Sequence, residues 1–311
     1  MRAVRYISSR MKVFHRIEDA KGLIGPAVTL GNFDGVHVGH QALIARARAL
    51  GEAVVFTFDP HPAKVLQPEM APRLITSTAR KLELLESLGV TATVVQPFTL
   101  AYAATPPQDF EAALFDTLGA RHVVVGSDFT YGKKRSGTVD TLRAAAAAHG
   151  AEVHVVAPVT VDGVVVSSTK IRELLLAGRV KPAARLLGRP FDLSGKVVRG
   201  KQRGREIGFP TANLETAQEL EPAIGIYAVR VQVDEQGPWL PGAASVGFNP
   251  TFGDTELTVE VFLIDFQGDL YDRTLRVQFI ERLRPEHRFD SVEALIAQMH
   301  QDVAQARQIL K

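Results

Sequence analysis

Two histidines, an asparagine and an aspartate lie within eleven residues near the start of the chain, in the stretch LGNFDGVHVGH at positions 30–40. An apolar run, AVTL, precedes it and an amphipathic pattern follows from His40, which predicts a turn from a buried strand into a helix. A helix N-terminus attracts anions, and imidazoles donate hydrogen bonds to phosphate without a permanent charge. We therefore predict that His37 and His40 bind phosphate. A His-x-x-His metal pair and a purely structural turn are the alternative interpretations.

Two later stretches also combine polar side chains with features suited to phosphate. SSTKIRELL at 167–175 places hydroxyls at a helix start before Lys170 and Arg172, although such hydroxyls are also ordinary helix caps. RGKQRGREIGFPTANL at 199–214 offers glycines, basic residues and the neutral oxygen ligands Thr211 and Asn213, or it is a solvated surface loop. GKVVRGKQ at 195–202 nearly matches a P-loop, but Gln202 replaces the hydroxyl that should contact Mg²⁺.

The elements that must position these residues differ between the two halves of the 311-residue chain. From 27 to 158, short apolar runs alternate with helical patterns, which predicts βαβ units and a parallel sheet with helices on both faces. After LGRPFDLSG at 187–195, short alternating strands separated by turn residues predict a small antiparallel barrel or sandwich, followed by a helix from Ser291. We predict two domains, 11–187 and 188–311, with Met11 as an alternative start to Met1.

Composition narrows the function classes. The net charge of +2 gives no bulk field that demands nucleic acid, and no run of about 18 apolar residues predicts a membrane span. The absence of cysteine excludes disulfides and thiolate nucleophiles and fits a reducing compartment. We expect a cytoplasmic protein without nucleic-acid or membrane partners, as a monomer or weak homo-oligomer.

The first half resembles the nucleotidyltransferase superfamily whose signature is His-x-Gly-His, matched here by His37, Gly39 and His40. FTFDPHP at 56–62, VGSDFTYGKKRSG at 125–137 and the 167–175 stretch narrow the match to enzymes that adenylylate FMN. The resemblance implies a Rossmann-like domain in which His37 and His40 stabilise charge at the α-phosphate of ATP. It further implies ATP contacts by Asn32, Phe33, Asp34, Gly39, Asp128, Ser168 and Arg172, and flavin contacts by Phe58, Pro60, His61 and Phe129.

The second half resembles the riboflavin kinase module, for which GFPTAN at 208–213 is the diagnostic segment. The resemblance implies a small antiparallel β-barrel with a C-terminal helix, Glu260 as general base, and Thr211 and Asn213 as ligands of Mg²⁺. ATP contacts are implied for Gly200, Lys201, Gly204, Arg205, Gly208 and Pro210. Two positions depart from the family pattern: Phe262 stands where a histidine is common, and Asp272 where a glycine is common.

Together the motifs resemble the bacterial enzymes that carry both activities. The expected chemistry is phosphorylation of riboflavin by ATP to FMN, followed by transfer of AMP from a second ATP to FMN, which gives FAD and pyrophosphate. Mg²⁺ is the expected cofactor, with riboflavin, FMN and ATP as ligands. The alternatives are an FMN adenylyltransferase with a weakened kinase domain, and a flavin-binding regulatory protein.

Overall fold

The computed structural model describes residues 11–199, 208–234, 237–248 and 257–311. The chain forms two compact units, Met1–Val166 and Ser167–Lys311. Within the described ranges, no helix combines the length and the apolar character that crossing a membrane requires. The domain limits 11–187 and 188–311 stay a prediction, since compactness and family limits need not coincide.

The first unit is built on a parallel sheet. Its strands, in chain order, are β1 Lys12–Phe14, β2 Ala27–Leu30, β3 Ala53–Asp59, β4 Ala92–Pro97, β5 His122–Gly126, β6 Thr130–Tyr131, β7 Gly137–Thr138, β8 Glu152–Val156, β9 Thr160–Val161 and β10 Val164–Val165. Six of them form one sheet in the order β1-β4-β3-β2-β5-β8, and every neighbouring pair is parallel. β6 pairs with β7 and β9 with β10 in two small antiparallel ribbons.

Helices accompany this sheet, as the alternating pattern predicts. They are α1 Val38–Leu50, α2 Pro62–Leu66, α3 Thr78–Ser87, α4 Leu100–Ala103, α5 Pro107–Ala112, which continues as a π-helical turn over Ala113–Thr117, and α6 Val139–Ala148. Alternate strand residues are buried in different clusters: Val54 and Phe56 pack with Phe110 and Leu114, whereas Val55 packs with Ile44 and Leu85. The sheet is therefore covered on both faces, as a parallel sheet requires.

The strand order creates a crevice at one point of the sheet. The chain moves from β2 outward through β3 to β4, and then returns to place β5 on the other side of β2. In open parallel sheets, ligands bind beyond the carboxyl ends of the strands where the order reverses. The stretch at 30–40 follows β2, and the stretch at 125–137 follows β5, so both lie at this edge.

The second unit contains a closed barrel. It begins with helices α7 Ser168–Leu176 and α8 Val180–Leu187, continues with strands β11 Phe191–Val198, β12 Ala212–Thr216, β13 Gly225–Val233, β14 Trp239–Phe248, β15 Leu257–Leu263 and β16 Thr274–Arg284, and ends with α9 Val292–Leu310. The barrel order is β11-β12-β15-β14-β13-β16, with antiparallel neighbours throughout. The prediction of a small antiparallel barrel and a final helix is confirmed. Turn spacing alone does not predict β12, because its five residues directly follow a turn-rich segment.

Candidate functional site

His37 and His40 form a stacked pair at the start of α1. His37 is the N-cap residue, and its Nδ1 accepts a hydrogen bond from the backbone N–H of His40 at 3.3 Å. The ring centroids lie 3.6 Å apart with an interplanar angle of 15°. Gly39 allows this arrangement, because a Cβ at that position would lie 3.1 Å from Nδ1 of His37. The stacked rings oppose the metal-pair interpretation and leave the phosphate interpretation in place.

The environment of His40 favours its neutral form. Burial lowers the pKa of His40 well below its ordinary value, and the electrostatic interactions with His37 and Lys81 lower this pKa further. Its ring packs against Phe33 with centroids 4.9 Å apart. Its buried Nδ1 has no hydrogen-bond partner among the residues that the structure describes. A neutral imidazole at a helix N-terminus donates one hydrogen bond, which suits a phosphate oxygen.

Asp34 is tied to the protein itself. Its carboxylate is 2% exposed and accepts hydrogen bonds from the backbone N–H of Ile75 at 2.9 Å and of Thr76 at 3.1 Å. The Thr76 hydroxyl also donates to Asp34 at 3.4 Å and accepts from the Gly35 N–H at 3.1 Å. These contacts clamp the loop after β2 to the segment before α3. Direct contact between Asp34 and ATP stays a prediction.

Lys81 is a site residue that the sequence analysis missed. It lies on α3, is 6% exposed, and donates through Nζ to the carbonyl of Asn32 at 3.1 Å and to the Thr57 hydroxyl at 3.5 Å. Burial lowers the pKa of Lys81, an effect that the carboxylates of Asp34 and Asp59 oppose. The spacing in the sequence could have indicated that Lys81 is buried, because it lies three and four positions before Leu84 and Leu85 and shares one helix face with them.

The predicted flavin contacts lie at the end of β3 and in the loops that follow β3 and β5, the two strands beside β2. Pro60 and His61 follow β3, where the peptide bond between Asp59 and Pro60 is cis and His61 Nδ1 caps α2 by accepting the Ala63 N–H at 3.2 Å. Phe58 packs edge-on against Phe98, with centroids 5.3 Å apart. On the β5 side, Phe129 stacks on Tyr131 at 5.8 Å. Aromatic faces at this edge are suited to an isoalloxazine ring.

The remaining ATP candidates of the first motif set are divided between the two units. Asp128 is exposed in the loop after β5. Ser168 and Arg172 lie in α7 of the second unit, where the Ser167 hydroxyl caps the helix by accepting the Lys170 N–H at 3.2 Å. Contact of Ser168 and Arg172 with ATP stays a prediction.

The kinase candidates converge on β12 and β15 of the barrel. The Thr211 hydroxyl donates to Glu260 Oε2 at 3.1 Å, and Asn213 is the antiparallel partner of Glu260 in the strand register. Thr211, Asn213 and Pro210 line a cavity of about 580 Å³ together with the loop at 266–271. A hydroxyl, an amide and a carboxylate supply hard oxygen donors, so these residues fit a hydrated divalent cation such as Mg²⁺.

Other kinase candidates lie at or beyond the limit of the described residues. Gly200, Lys201, Gly204 and Arg205 are outside the described residues. Gly208 has a φ of +87°, a conformation that glycine adopts without strain.

The two departures from the kinase pattern have local structural explanations. Phe262 packs edge-on against Phe209 with centroids 5.3 Å apart, and it belongs to an apolar cluster that includes α9. Asp272 has a φ of +62°, in the left-handed region where a glycine is favoured and an aspartate is tolerated. Its carboxylate also pairs with Lys196 at 2.7 Å. Both residues are therefore compatible with the barrel fold.

Comparison with known families gives a match for each half of the chain. Residues 20–170 match the family model described as FAD synthetase, and residues 187–310 match the one described as riboflavin kinase. A bifunctional riboflavin kinase/FMN adenylyltransferase of Pseudomonas fluorescens is 41% identical over 290 residues, which cover 91% of this chain and 92% of that protein. The protein of the same name from Bacillus subtilis is 35% identical over 299 residues, with coverages of 93% and 92%.

A solved structure extends the likeness to the fold. A protein of Streptococcus pneumoniae, described as a macrolide-efflux protein, superposes with a TM-score of 0.85 at 33% identity and covers 96% of this chain and 99% of its own. The two family models and the named relatives agree with one another on riboflavin kinase and FMN adenylyltransferase activities. The chain belongs to the family of bifunctional riboflavin kinase/FMN adenylyltransferases.

Proposed function

We propose that the two activities of the family are divided between the two clusters described above. Riboflavin would be phosphorylated beside Thr211, Asn213 and Glu260, and FMN would be adenylylated beside His37 and His40. The observation that carries the proposal is that each unit holds its own set of polar groups: the stacked histidines at a helix N-terminus and the Thr211–Glu260 contact beside a cavity.

In the kinase step, Glu260 acts as the general base. Its carboxylate takes the proton from the ribityl hydroxyl as that oxygen attacks the γ-phosphate of ATP and ADP leaves. The hydrogen bond from Thr211 at 3.1 Å fixes the direction of the carboxylate before substrate binds. Thr211 and Asn213 would hold Mg²⁺, which neutralises phosphate charge when bound. The predicted contacts of the kinase with ATP are Gly200, Lys201, Gly204, Arg205, Gly208 and Pro210.

In the adenylyl transfer, the FMN phosphate is itself the nucleophile. One of its oxygens attacks the α-phosphorus of ATP, the bond to the β-phosphate breaks, and pyrophosphate leaves. His37 and His40 would donate hydrogen bonds to the phosphate oxygens as charge develops, and the protein contributes chiefly alignment and charge stabilisation. The buried Lys81 helps to position the loop after β2, which leads into His37, because its Nζ donates a hydrogen bond to the Asn32 carbonyl in that loop.

The other assignments in the proposal follow the sequence analysis. The domains are 11–187 for adenylyl transfer and 188–311 for the kinase. The protein would act in the cytoplasm, as a monomer or weak homo-oligomer and without a nucleic-acid partner. The absence of cysteine supports the cytoplasmic assignment, and the net charge of +2 supports the absence of a nucleic-acid partner.

The test is an assay of purified protein with riboflavin, ATP and Mg²⁺. We expect FMN and FAD, accompanied by ADP and pyrophosphate, and no product when Mg²⁺ is removed by a chelator. FAD formed from added FMN, without FMN formed from riboflavin, would favour the enzyme with a weakened kinase. Tight flavin binding without either product would favour the regulatory protein.

A further inference from the structure

Three side chains that neither activity uses meet at the amino ends of two neighbouring strands. His122 begins β5, and Glu152 and His154 lie on β8. His122 is aligned with Glu152, and Val124 with His154, in the parallel register. Because side chains two residues apart point to the same face of a sheet, all three project from one face. They lie at the opposite end of the strands from the loops that carry the predicted flavin and ATP contacts.

The distances between their ligand atoms match those of a tetrahedral metal site. His122 Nδ1 lies 3.2 Å from His154 Nε2 and 3.9 Å from Glu152 Oε2, and His154 Nε2 lies 3.5 Å from the same oxygen. Zinc bonds of about 2.0–2.1 Å in a tetrahedron separate neighbouring ligand atoms by about 3.3 Å. An ion could therefore be placed among the three atoms with only small side-chain movements.

Burial and chemistry favour a transition metal at this place. The two imidazole side chains are 27% and 16% exposed, for His122 and His154, whereas the Glu152 side chain is 70% exposed. The backbone ladder between β5 and β8 holds the ligands, and the exposed side leaves room for a water molecule. Two imidazoles and one carboxylate form a donor set typical of Zn²⁺ and unlike the oxygen sets of Mg²⁺.

We propose that His122, Glu152 and His154 form a binding site for a divalent transition-metal ion of the zinc type, with water in the fourth position. The site would join β5 to the outermost strand of the sheet, β8, through side chains in addition to the backbone ladder. It does not depend on the assignment of the two activities, since none of its residues belongs to either cluster.

Arg46 opposes metal binding in a way that can be tested. Its guanidinium lies 3.2 Å from Nδ1 of His154, and it can only donate, so Nδ1 is the acceptor and the proton of the neutral ring is on Nε2. Binding of a metal at Nε2 requires this proton to move to Nδ1, and the exposed Arg46 must then turn away. Arg46→Gln supplies a carbonyl that accepts from Nδ1–H, so we expect about tenfold tighter metal binding, within the range of outer-shell effects.

The experiment uses the full-length chain, stripped of metal with a chelator and titrated with Co²⁺ as a spectroscopic probe, followed by displacement with Zn²⁺. We expect one Co²⁺ per chain with the intense visible absorption of a four-coordinate ion. His122→Ala and His154→Ala should each abolish this absorption. His149→Ala is the matched control, because His149 also faces a carboxylate, Asp116 at 3.2 Å, but belongs to no three-ligand group that the described residues form.

Conversion of FMN to FAD and circular dichroism verify that the first unit of each variant is folded. Loss of the absorption in both ligand variants, with retention in His149→Ala, supports the site. The proposal is overturned if the wild-type chain gives no four-coordinate spectrum, or if the spectrum is the same in His122→Ala and His154→Ala as in the wild type.

Discussion

Substitution of Asp34 can distinguish two roles for this residue: attachment of the loop at 31–37 to the rest of the first unit, and direct binding of ATP. Asp34→Ala removes the acceptor for two backbone N–H groups, of Ile75 at 2.9 Å and Thr76 at 3.1 Å, at a position that is 2% exposed. A buried donor left without a partner costs about 1–3 kcal/mol. We therefore expect the free energy of unfolding of the first unit to fall by about 4 kcal/mol.

The same change should impair one activity selectively. The loop at 31–37 would lose its attachment to the segment before α3, and a displacement of about 1 Å in a positioned group costs about 100-fold in rate. We expect FMN adenylylation to fall by at least this factor. Riboflavin phosphorylation should stay within about twofold of wild type, because distant and independent sites contribute additively.

The two units can be followed separately during unfolding. Trp239, the single tryptophan of the chain, lies in β14 of the barrel, so its fluorescence reports the second unit. Far-ultraviolet circular dichroism reports the unfolding of both units. Comparison of its urea transition with the fluorescence transition therefore gives the unfolding of the first unit. Asp34→Asn is the matched variant: it keeps one acceptor oxygen, so its loss of stability should be intermediate.

The clamp interpretation would be refuted by unchanged unfolding of the first unit in Asp34→Ala together with a higher KM for ATP. That combination would assign Asp34 to direct nucleotide contact. A lower free energy of unfolding with an unchanged rate of adenylylation would also contradict this interpretation, because it would mean that the position of the loop at 31–37 does not affect the reaction.

Three further predictions concern residues that contact or follow the loop at 31–37. Lys81→Met removes a charged hydrogen bond to Asn32, which is worth about 1.5–3 kcal/mol. The rate of FMN adenylylation should therefore fall by about 10- to 100-fold, while the rate of riboflavin phosphorylation is retained. Equal loss of both rates would indicate general unfolding. Gly39→Ala places a Cβ 3.1 Å from the His37 ring and should slow adenylylation about tenfold without lowering stability, since alanine favours helix; an unchanged rate would contradict the need for stacking. Burial lowers the pKa of His40 in the folded state, so the unfolded state binds the proton of this ring first as the pH falls. Urea unfolding should therefore show a free energy of unfolding that decreases below about pH 6.5. An increase in this free energy over the same pH range would contradict a buried neutral ring.

The sequence was most informative where several signals coincide. Alternating strands and helices from Ala27 onward predict the parallel sheet, and the position of His37 between a strand and a helix predicts its place at the N-cap. The barrel could be predicted from turn spacing, although β12 could not. Three of its five residues, Asn213, Glu215 and Thr216, are polar, and the strand follows a turn rather than an apolar run.

What could not be predicted depends on contacts between distant segments. Asp34 is predicted from the sequence as an ATP contact, and its hydrogen bonds to residues 75 and 76, which attach the loop after β2, could not be predicted. Lys81 looks like an ordinary exposed lysine until α3 buries it against the loop after β2. The grouping of His122 with His154 follows from the alignment of β5 with β8, which a single sequence does not specify.

The most direct test of the central claim uses one variant in each unit. Glu260→Gln preserves the size of the side chain but removes the proposed base, and His40→Ala removes one of the stacked imidazoles. Both variants are assayed with riboflavin and, separately, with FMN as substrate. We predict that Glu260→Gln loses FMN formation and retains conversion of FMN to FAD, while His40→Ala does the reverse. Loss of both activities in each variant would contradict two separate sites.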